Sequence, residues 1–126
     1  MLKPKFPFYH YKAVITDVTD GDTFKAVIDC GFRIEVSHTF RLADIDTPEI
    51  FRPKSQGELT HGLEAKEFLT SLILDNEVCV ETLKSRAGIY NRWDARIYII
   101  DKDGAFQSVS QLLIDNGFEK KESYDD

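Results

Sequence analysis

The sequence contains few cysteines and no excess of basic residues. Cys30 and Cys79 are the two cysteines, and their separation matches neither a zinc site nor a dense disulfide framework, so we expect both to be small buried hydrophobic residues. The 16 lysines and arginines are outnumbered by 22 aspartates and glutamates, which gives a formal net charge of -6. Proteins that coat nucleic acids are usually basic, so any contact with a polyanion must be local.

Long apolar segments are also absent. Residues 1–8 include Pro4 and Pro7, whereas an export signal needs an unbroken apolar stretch. No segment approaches the roughly 20 apolar residues of a membrane span. We therefore expect a soluble, cytoplasmic, monomeric protein with no membrane partner; a targeting segment ahead of Met1 would instead direct secretion.

Apolar residues that alternate with polar ones predict five strands. Three antiparallel strands are expected within residues 9–42, with turns at residues 20–22 and 30–31. Two more are expected around residues 78–82 and 93–99, on either side of a polar loop over residues 84–92.

Helical spacing of apolar residues predicts two helices. The first is expected to begin between Thr60 and Gly62, after an exposed loop over residues 51–60, and to end at Asp75-Asn76. The second is short, capped by Ser108 or Ser110 and ended by Gly117.

This order of elements predicts an α+β fold that is mainly β. Five strands with one helix inserted and a second short helix after the last strand suit a five-stranded OB-type barrel better than a parallel α/β sheet. The length of 126 residues fits a single domain, and we expect it to span residues 1–126. Within it we place the core at about residues 9–118 and a flexible tail at residues 119–126.

Residues 39–49 combine a strand pattern with three charged groups. Pro48 ends the strand because it offers no N–H to a ladder, so Glu49 lies just past the strand end. Arg41, Asp46 and Glu49 would present a cation, a metal-binding carboxylate and a base together, which suggests phosphate chemistry. The alternative is a surface ion-pair cluster.

The segment Asp20-Gly21-Asp22-Thr23 adds two carboxylates, two residues apart, that can share a cation. A hard divalent ion, calcium or magnesium, takes oxygen ligands such as Asp22, Asp46 and the backbone carbonyl near Thr47. The alternative is that Asp-Gly-Asp forms only a hairpin turn.

A second arginine follows in Tyr90-Asn91-Arg92-Trp93. Two arginines opposite a metal suit a phosphodiester, since guanidinium groups match the oxygens on which its transition state gains negative charge. Otherwise Arg92 is a surface charge at the strand end. Trp93 is expected to be a core aromatic residue.

Together these motifs resemble the staphylococcal nuclease (thermonuclease) family in order and spacing. They are Asp20-Gly21-Asp22-Thr23, Phe40-Arg41-Leu42, Asp46-Thr47-Pro48-Glu49, His61-Gly62-Leu63-Glu64-Ala65 and Tyr90-Asn91-Arg92. The resemblance covers roughly residues 14–118 and implies an OB-type barrel with calcium-dependent phosphodiesterase activity on DNA and RNA.

The same resemblance implies a role for each matching residue. One calcium ion would be held by Asp22, Asp46 and the Thr47 carbonyl, with Asp20 as a nearby carboxylate, Arg41 and Arg92 as phosphate contacts and Glu49 as the base.

The chain departs from the family around two tyrosines. Ile89 and Asn91 flank Tyr90 where relatives commonly have lysine and glycine, and Tyr124 would substitute for a tyrosine that follows the second helix. We expect both tyrosines to contact substrate. The alternative to a nuclease is a catalytically weak module that binds nucleic acid or a protein partner, and a third possibility is a calcium-binding structural domain.

Overall fold

A computed structural model describes residues 9–87 and 92–124 of the chain, and for residues 84–87 the backbone alone. It contains six strands and two helices within these residues. In chain order they are β1 (His10–Asp20), β2 (Thr23–Asp29), β3 (Glu35–Leu42), α1 (Gln56–Ile73), β4 (Glu77–Ala87), β5 (Arg92–Ile100), β6 (Phe106–Ser108) and α2 (Val109–Asp115).

Strands β1 to β5 close into a barrel. β2 pairs antiparallel with β1 and β3, and β4 pairs antiparallel with β1 and β5. The barrel closes where β3 and β5 run parallel, with Phe40 opposite Trp93. The prediction of a mainly β fold with a five-stranded OB-type barrel and two helices is confirmed.

The sixth strand was not predicted. β6 has three residues and pairs with β5 over Tyr98–Ile100. It lies on the same edge of β5 as β3, which pairs with the first part of that strand. A strand of three residues is too short for the period-two alternation on which the other strands were predicted.

The barrel interior and the inner faces of both helices form one hydrophobic core. Phe24, Ala26 and Ile28 alternate inward along β2, as the sequence predicts, and Phe24 stacks on Phe40 with ring centroids 5.5 Å apart. Trp93 is partly buried against this core, which confirms its expected role. α1 and α2 contribute Ala65, Leu69, Ile73, Val109 and Leu113, all fully buried.

Helix α1 begins earlier than predicted. Its N-cap is Ser55, whose hydroxyl accepts the Glu58 backbone N–H at 3.1 Å, so the second half of the predicted loop over residues 51–60 is helical. Apolar spacing does not predict this start because Gly57 and the residues around it are not apolar. The helix ends at Ile73, close to the predicted Asp75-Asn76.

Helix α2 has the predicted ends. Ser108 caps it by accepting the Gln111 N–H at 3.2 Å. Gly117 follows with φ of +81°, and the N–H groups of Gly117 and Phe118 bond back to Ile114 and Leu113, the pattern of a Schellman motif. In residues 9–87 and 92–124 neither helix combines the length and the apolar character that crossing a membrane requires.

Two further predictions were wrong. β4 extends to Ala87, where a polar loop was expected from Lys84, because polar residues without an apolar alternation give no strand signal in the sequence; residues 88–91 of that loop lie outside the described residues. Cys30 is exposed and Cys79 half-buried, and both are free thiols rather than buried core residues. Cys30 follows β2 directly, at the turn that Gly31 opens.

Candidate active site

Three chain segments that carry the predicted site residues meet at one end of the barrel. β2 begins at Thr23, which lies opposite Arg41 near the end of β3. The Leu42 N–H also donates to the Asp22 carbonyl at 2.7 Å. In the β3–β5 pair Trp93 lies opposite Phe40, so Arg92, the first residue of β5, lies beside the last residues of β3, at the same end of the barrel.

Arg41 contacts both predicted metal-binding carboxylates. Its Nη2 atom lies 2.9 Å from Asp46 Oδ1 and 3.7 Å from Asp22 Oδ2. The guanidinium also donates to the carbonyls of Leu42 and Ile45, each at 3.2 Å, so it is held over its own strand end. The Asp46 side chain is 69% exposed, so its ion pair with Arg41 is of the weak surface type that a competing ligand can displace.

Arg92 is connected to the Asp22 carboxylate through the Thr23 hydroxyl. Its Nη1 donates to Thr23 Oγ1 at 3.1 Å, and the Thr23 hydroxyl donates to Asp22 Oδ1 at 3.3 Å. Both arginines therefore converge on Asp22, one directly and one through Thr23. Thr23 was quoted in a motif but was not predicted as a site residue.

Asp22 is a buried carboxylate with an unfavourable environment for its charge. Burial, together with a hydrogen bond to Asp20 and the charge of Asp20, raises the pKa of Asp22 from 3.8 to about 6, although the Thr47 N–H and Arg41 oppose this. Asp20 in turn accepts the Asp22 N–H at 3.0 Å, and Asp22 Oδ2 accepts the Thr47 N–H at 3.2 Å. A further positive charge beside Asp22 would stabilise its ionised form.

The donor groups at this point suit a hard cation. Asp22 and Asp46 each place a carboxylate oxygen within 3.7 Å of Arg41 Nη2. The Thr47 backbone N–H donates to Asp22. In the described part of the chain, no group of three or more His, Cys, Asp or Glu side chains could hold a metal ion. Two carboxylates and a carbonyl would therefore need waters to complete the six to eight oxygens that calcium takes.

The turn after β3 positions Asp46. Asp44 adopts φ of 72°, a left-handed conformation that Asp tolerates better than most residues, and its carboxylate bonds Arg96 Nε at 2.7 Å. The Ala43 N–H donates to the Ala95 carbonyl at 2.8 Å, and the Ser110 hydroxyl donates to the Ala43 carbonyl at 2.8 Å. Contacts with β5 and α2 thus fix the turn.

Two glycines let the segment over residues 46–50 pack closely between the first hairpin and α1. A Cβ atom on Gly62 would lie 2.6 Å from Ile50 Cγ2 and 2.7 Å from the Pro48 carbonyl oxygen. One on Gly21 would lie 2.8 Å from Thr47 Oγ1. Glu49 is exposed at the end of this segment, while Thr47 is buried. A side chain at either glycine would push the segment away.

Comparison with known families identifies the chain. A model described as staphylococcal nuclease homologue matches residues 39–126, well over half of the sequence. The chain belongs to the staphylococcal nuclease homologue family. A comparison with curated proteins gives no match.

The matched part of this staphylococcal nuclease homologue contains Arg41, Asp46, Glu49 and Arg92, whereas Asp22 precedes it. The resemblance that the sequence motifs indicate is therefore confirmed at the level of the family. The roles of individual residues stay predictions.

The two predicted substrate tyrosines have different outcomes. Tyr90 lies outside the described residues. The Tyr124 hydroxyl lies 2.7 Å from His61 Nδ1 and accepts the Lys121 N–H at 3.1 Å. Since His61 Nε2 is 2.7 Å from the Gly117 carbonyl, which can only accept, Nε2 carries a proton and donates to it. Tyr124 thus lines a groove of about 730 Å³ beside α1.

Sequence reasoning missed a buried acid and its partner. Glu58, on the first turn of α1, is 2% exposed and forms an ion pair with Lys120 at 3.3 Å. Both lay in segments expected to be a loop and a flexible tail. The spacing of Ser55 and Glu58 is that of a helix capping box, and this signal could have identified the helix start.

Proposed function

We propose that this staphylococcal nuclease homologue is a calcium-dependent nuclease that hydrolyses phosphodiester bonds of DNA, RNA or both. The observation that supports the proposal most is the convergence of Arg41 and Arg92 on Asp22, a buried carboxylate whose charge a bound cation would offset. A phosphodiester and a divalent ion would together supply the negative and positive charges that this cluster can bind.

The chain's own groups would divide the work. Asp22, Asp46 and the Thr47 carbonyl would hold the cation, which supplies charge stabilisation to the phosphate. Arg41 would exchange its exposed contact with Asp46 for a phosphate oxygen, and Arg92 would donate beside it. Each arginine would stabilise negative charge that grows in the transition state.

Glu49 would serve as the general base. Its carboxylate would accept a proton from the attacking water as the new oxygen–phosphorus bond forms, the ester bond on the opposite side of phosphorus would break, and the leaving alkoxide would take a proton from solvent water. The exposed position of Glu49, at the end of a segment held by α1, leaves its carboxylate accessible to water and to a bound strand.

A second candidate is a catalytically weak module that binds nucleic acid or a protein partner. The specific observation that favours it is that the described residues offer no group of three metal-binding side chains. Binding without hydrolysis would still use Arg41 and Arg92 for phosphate contacts.

One gel assay distinguishes the two candidates. Plasmid DNA and a single-stranded RNA are incubated with the purified protein in calcium, magnesium or excess EDTA, and Asp46→Asn serves as a control for contaminating nuclease. The proposal predicts cleavage with divalent ion and none in EDTA. Retarded but intact nucleic acid under every condition would favour the binding module, and undiminished cleavage in EDTA would sink the metal-dependent mechanism.

A further inference from the structure

Glu58 is placed to hold the segment that carries Glu49. Its Oε1 accepts the Lys54 N–H at 2.8 Å, and its Oε2 accepts the Glu49 N–H at 3.4 Å. The carboxylate is 2% exposed, so these N–H groups have little competition from water. One side chain on α1 therefore forms hydrogen bonds with both ends of the segment between Glu49 and Lys54.

Lys120 closes the same arrangement from the C-terminal side. Its Nζ lies 3.3 Å from Glu58 Oε2, and its backbone N–H donates to the Asp46 carbonyl at 2.7 Å. Desolvation lowers the pKa of the Lys120 ammonium, but the hydrogen bond and charge of Glu58, with the charges of Glu49 and Asp46, outweigh this and raise it. Lys120 thus lies among the acids of the site.

The ionised form of Glu58 is the form that can accept both backbone N–H groups. The Lys54 N–H is the main cause that holds the pKa of the Glu58 carboxyl below its ordinary value, against the effect of burial, with help from Lys120 and the Glu49 N–H. An ionised carboxylate is an acceptor only, so both oxygens remain available to the backbone. Ser55 already caps α1, so the helix start does not depend on Glu58.

We propose that Glu58 and Lys120 are positioning residues that fix the backbone between Asp46 and Lys54, and through it the direction of the Glu49 carboxylate. The inference rests on the proposed nuclease function, in which Glu49 acts on water. It assigns neither residue a contact with substrate.

The test uses Glu58→Gln, which keeps the shape but replaces one acceptor oxygen by an amide donor. With Oε1 still facing the Lys54 N–H, the new NH₂ would face the Glu49 N–H and the Lys120 ammonium, and neither can accept from it. We expect kcat to fall at least tenfold and KM for DNA to stay within about twofold. Glu67→Gln, on the exposed face of the same helix, should change neither constant.

Lys120 provides a milder variant in case Glu58→Gln folds poorly. Lys120→Met keeps the aliphatic part of the side chain and the backbone N–H, and should lower kcat as Glu58→Gln does. Lys120→Arg keeps the positive charge and should have a kcat close to that of the parent. Rates are measured well below each melting transition, so that loss of folded protein does not contribute. A kcat within twofold of the parent in folded Glu58→Gln and Lys120→Met would overturn the inference.

A second readout separates this inference from the proposed function. Amide hydrogen exchange of metal-free protein should show the Glu49 and Lys54 N–H groups exchanging at least tenfold faster in Glu58→Gln, but unchanged in Glu67→Gln. If the parent cleaves no nucleic acid, the proposed function fails while exchange still tests whether Glu58 holds the segment. Unchanged exchange at both amides would overturn the inference whatever the activity.

Discussion

Asp22 should make the stability of the metal-free protein depend on pH. Its pKa in the folded protein is about 6, above the ordinary 3.8, so its protonated form favours folding. This contribution is fully present below pH 3.8 and is lost as pH rises through about 6. A shift of about two pKa units corresponds to about 3 kcal/mol, and the side chain is 11% exposed, so solvent screens it little.

Replacing Asp22 by Asn removes this ionisation. The Asn oxygen can still accept the Thr47 N–H, and the Thr23 hydroxyl can rotate to accept from the new amide. In EDTA, we expect Asp22→Asn to raise the free energy of unfolding above pH 6 by up to about 3 kcal/mol, or the melting temperature by roughly 10 °C for a domain of this size. Near pH 4 the two proteins should melt together.

Thermal melts followed by circular dichroism between pH 4 and 8 measure the difference. Asp46→Asn, which removes an exposed carboxylate from the same cluster, should show no comparable rise with pH. Calcium at pH 7.5 should stabilise the parent and have little effect on Asp22→Asn. If Asp22→Asn and the parent differ by the same amount at every pH, the account of Asp22 as a strained buried carboxylate is refuted.

Three further predictions concern the arginines, a glycine and the C-terminal tyrosine. Lysine keeps the charge but loses the planar fork, so Arg41→Lys and Arg92→Lys should each slow turnover about 10²-fold, or about 3 kcal/mol, and steady-state rates within threefold of the parent would contradict this. Gly62→Ala should destabilise the fold by about 1 to 3 kcal/mol in chemical denaturation because its methyl would overlap the segment after Asp46; an unchanged midpoint argues against that packing. Tyr124→Phe should lower the free energy of unfolding by about 1 kcal/mol, because the hydrogen bond to His61 is lost, and should raise KM. Kinetics identical to those of the parent would remove Tyr124 from the substrate site.

The fold was predictable where local pattern and packing agree. The alternation of Phe24, Ala26 and Ile28 predicts an inward-facing strand, and Gly117 predicts the end of α2, because each feature is decided within a few residues. The start of α1 was missed since polar residues around Gly57 carry no apolar period. β6 was missed because it is too short to show one.

That three charged residues of the candidate site lie together was predictable, but how the neighbouring segment is held was not. Arg41, Asp22 and Asp46 come together as the motifs indicate. Glu58, which accepts the Glu49 N–H, forms an ion pair with Lys120, and no local pattern reveals a pairing so far along the chain. The raised pKa of Asp22 likewise depends on burial that only the closed barrel creates.

The most direct test of the account is the initial rate at which purified protein cleaves an end-labelled single-stranded DNA in calcium, compared with Asp46→Asn prepared in parallel. Calcium-dependent hydrolysis at this site predicts steady cleavage by the parent, complete loss with chelator, restoration when calcium is returned, and a rate at least about 10²-fold lower for the variant. Equal rates for both proteins, or no cleavage by the parent in any divalent ion, would contradict it.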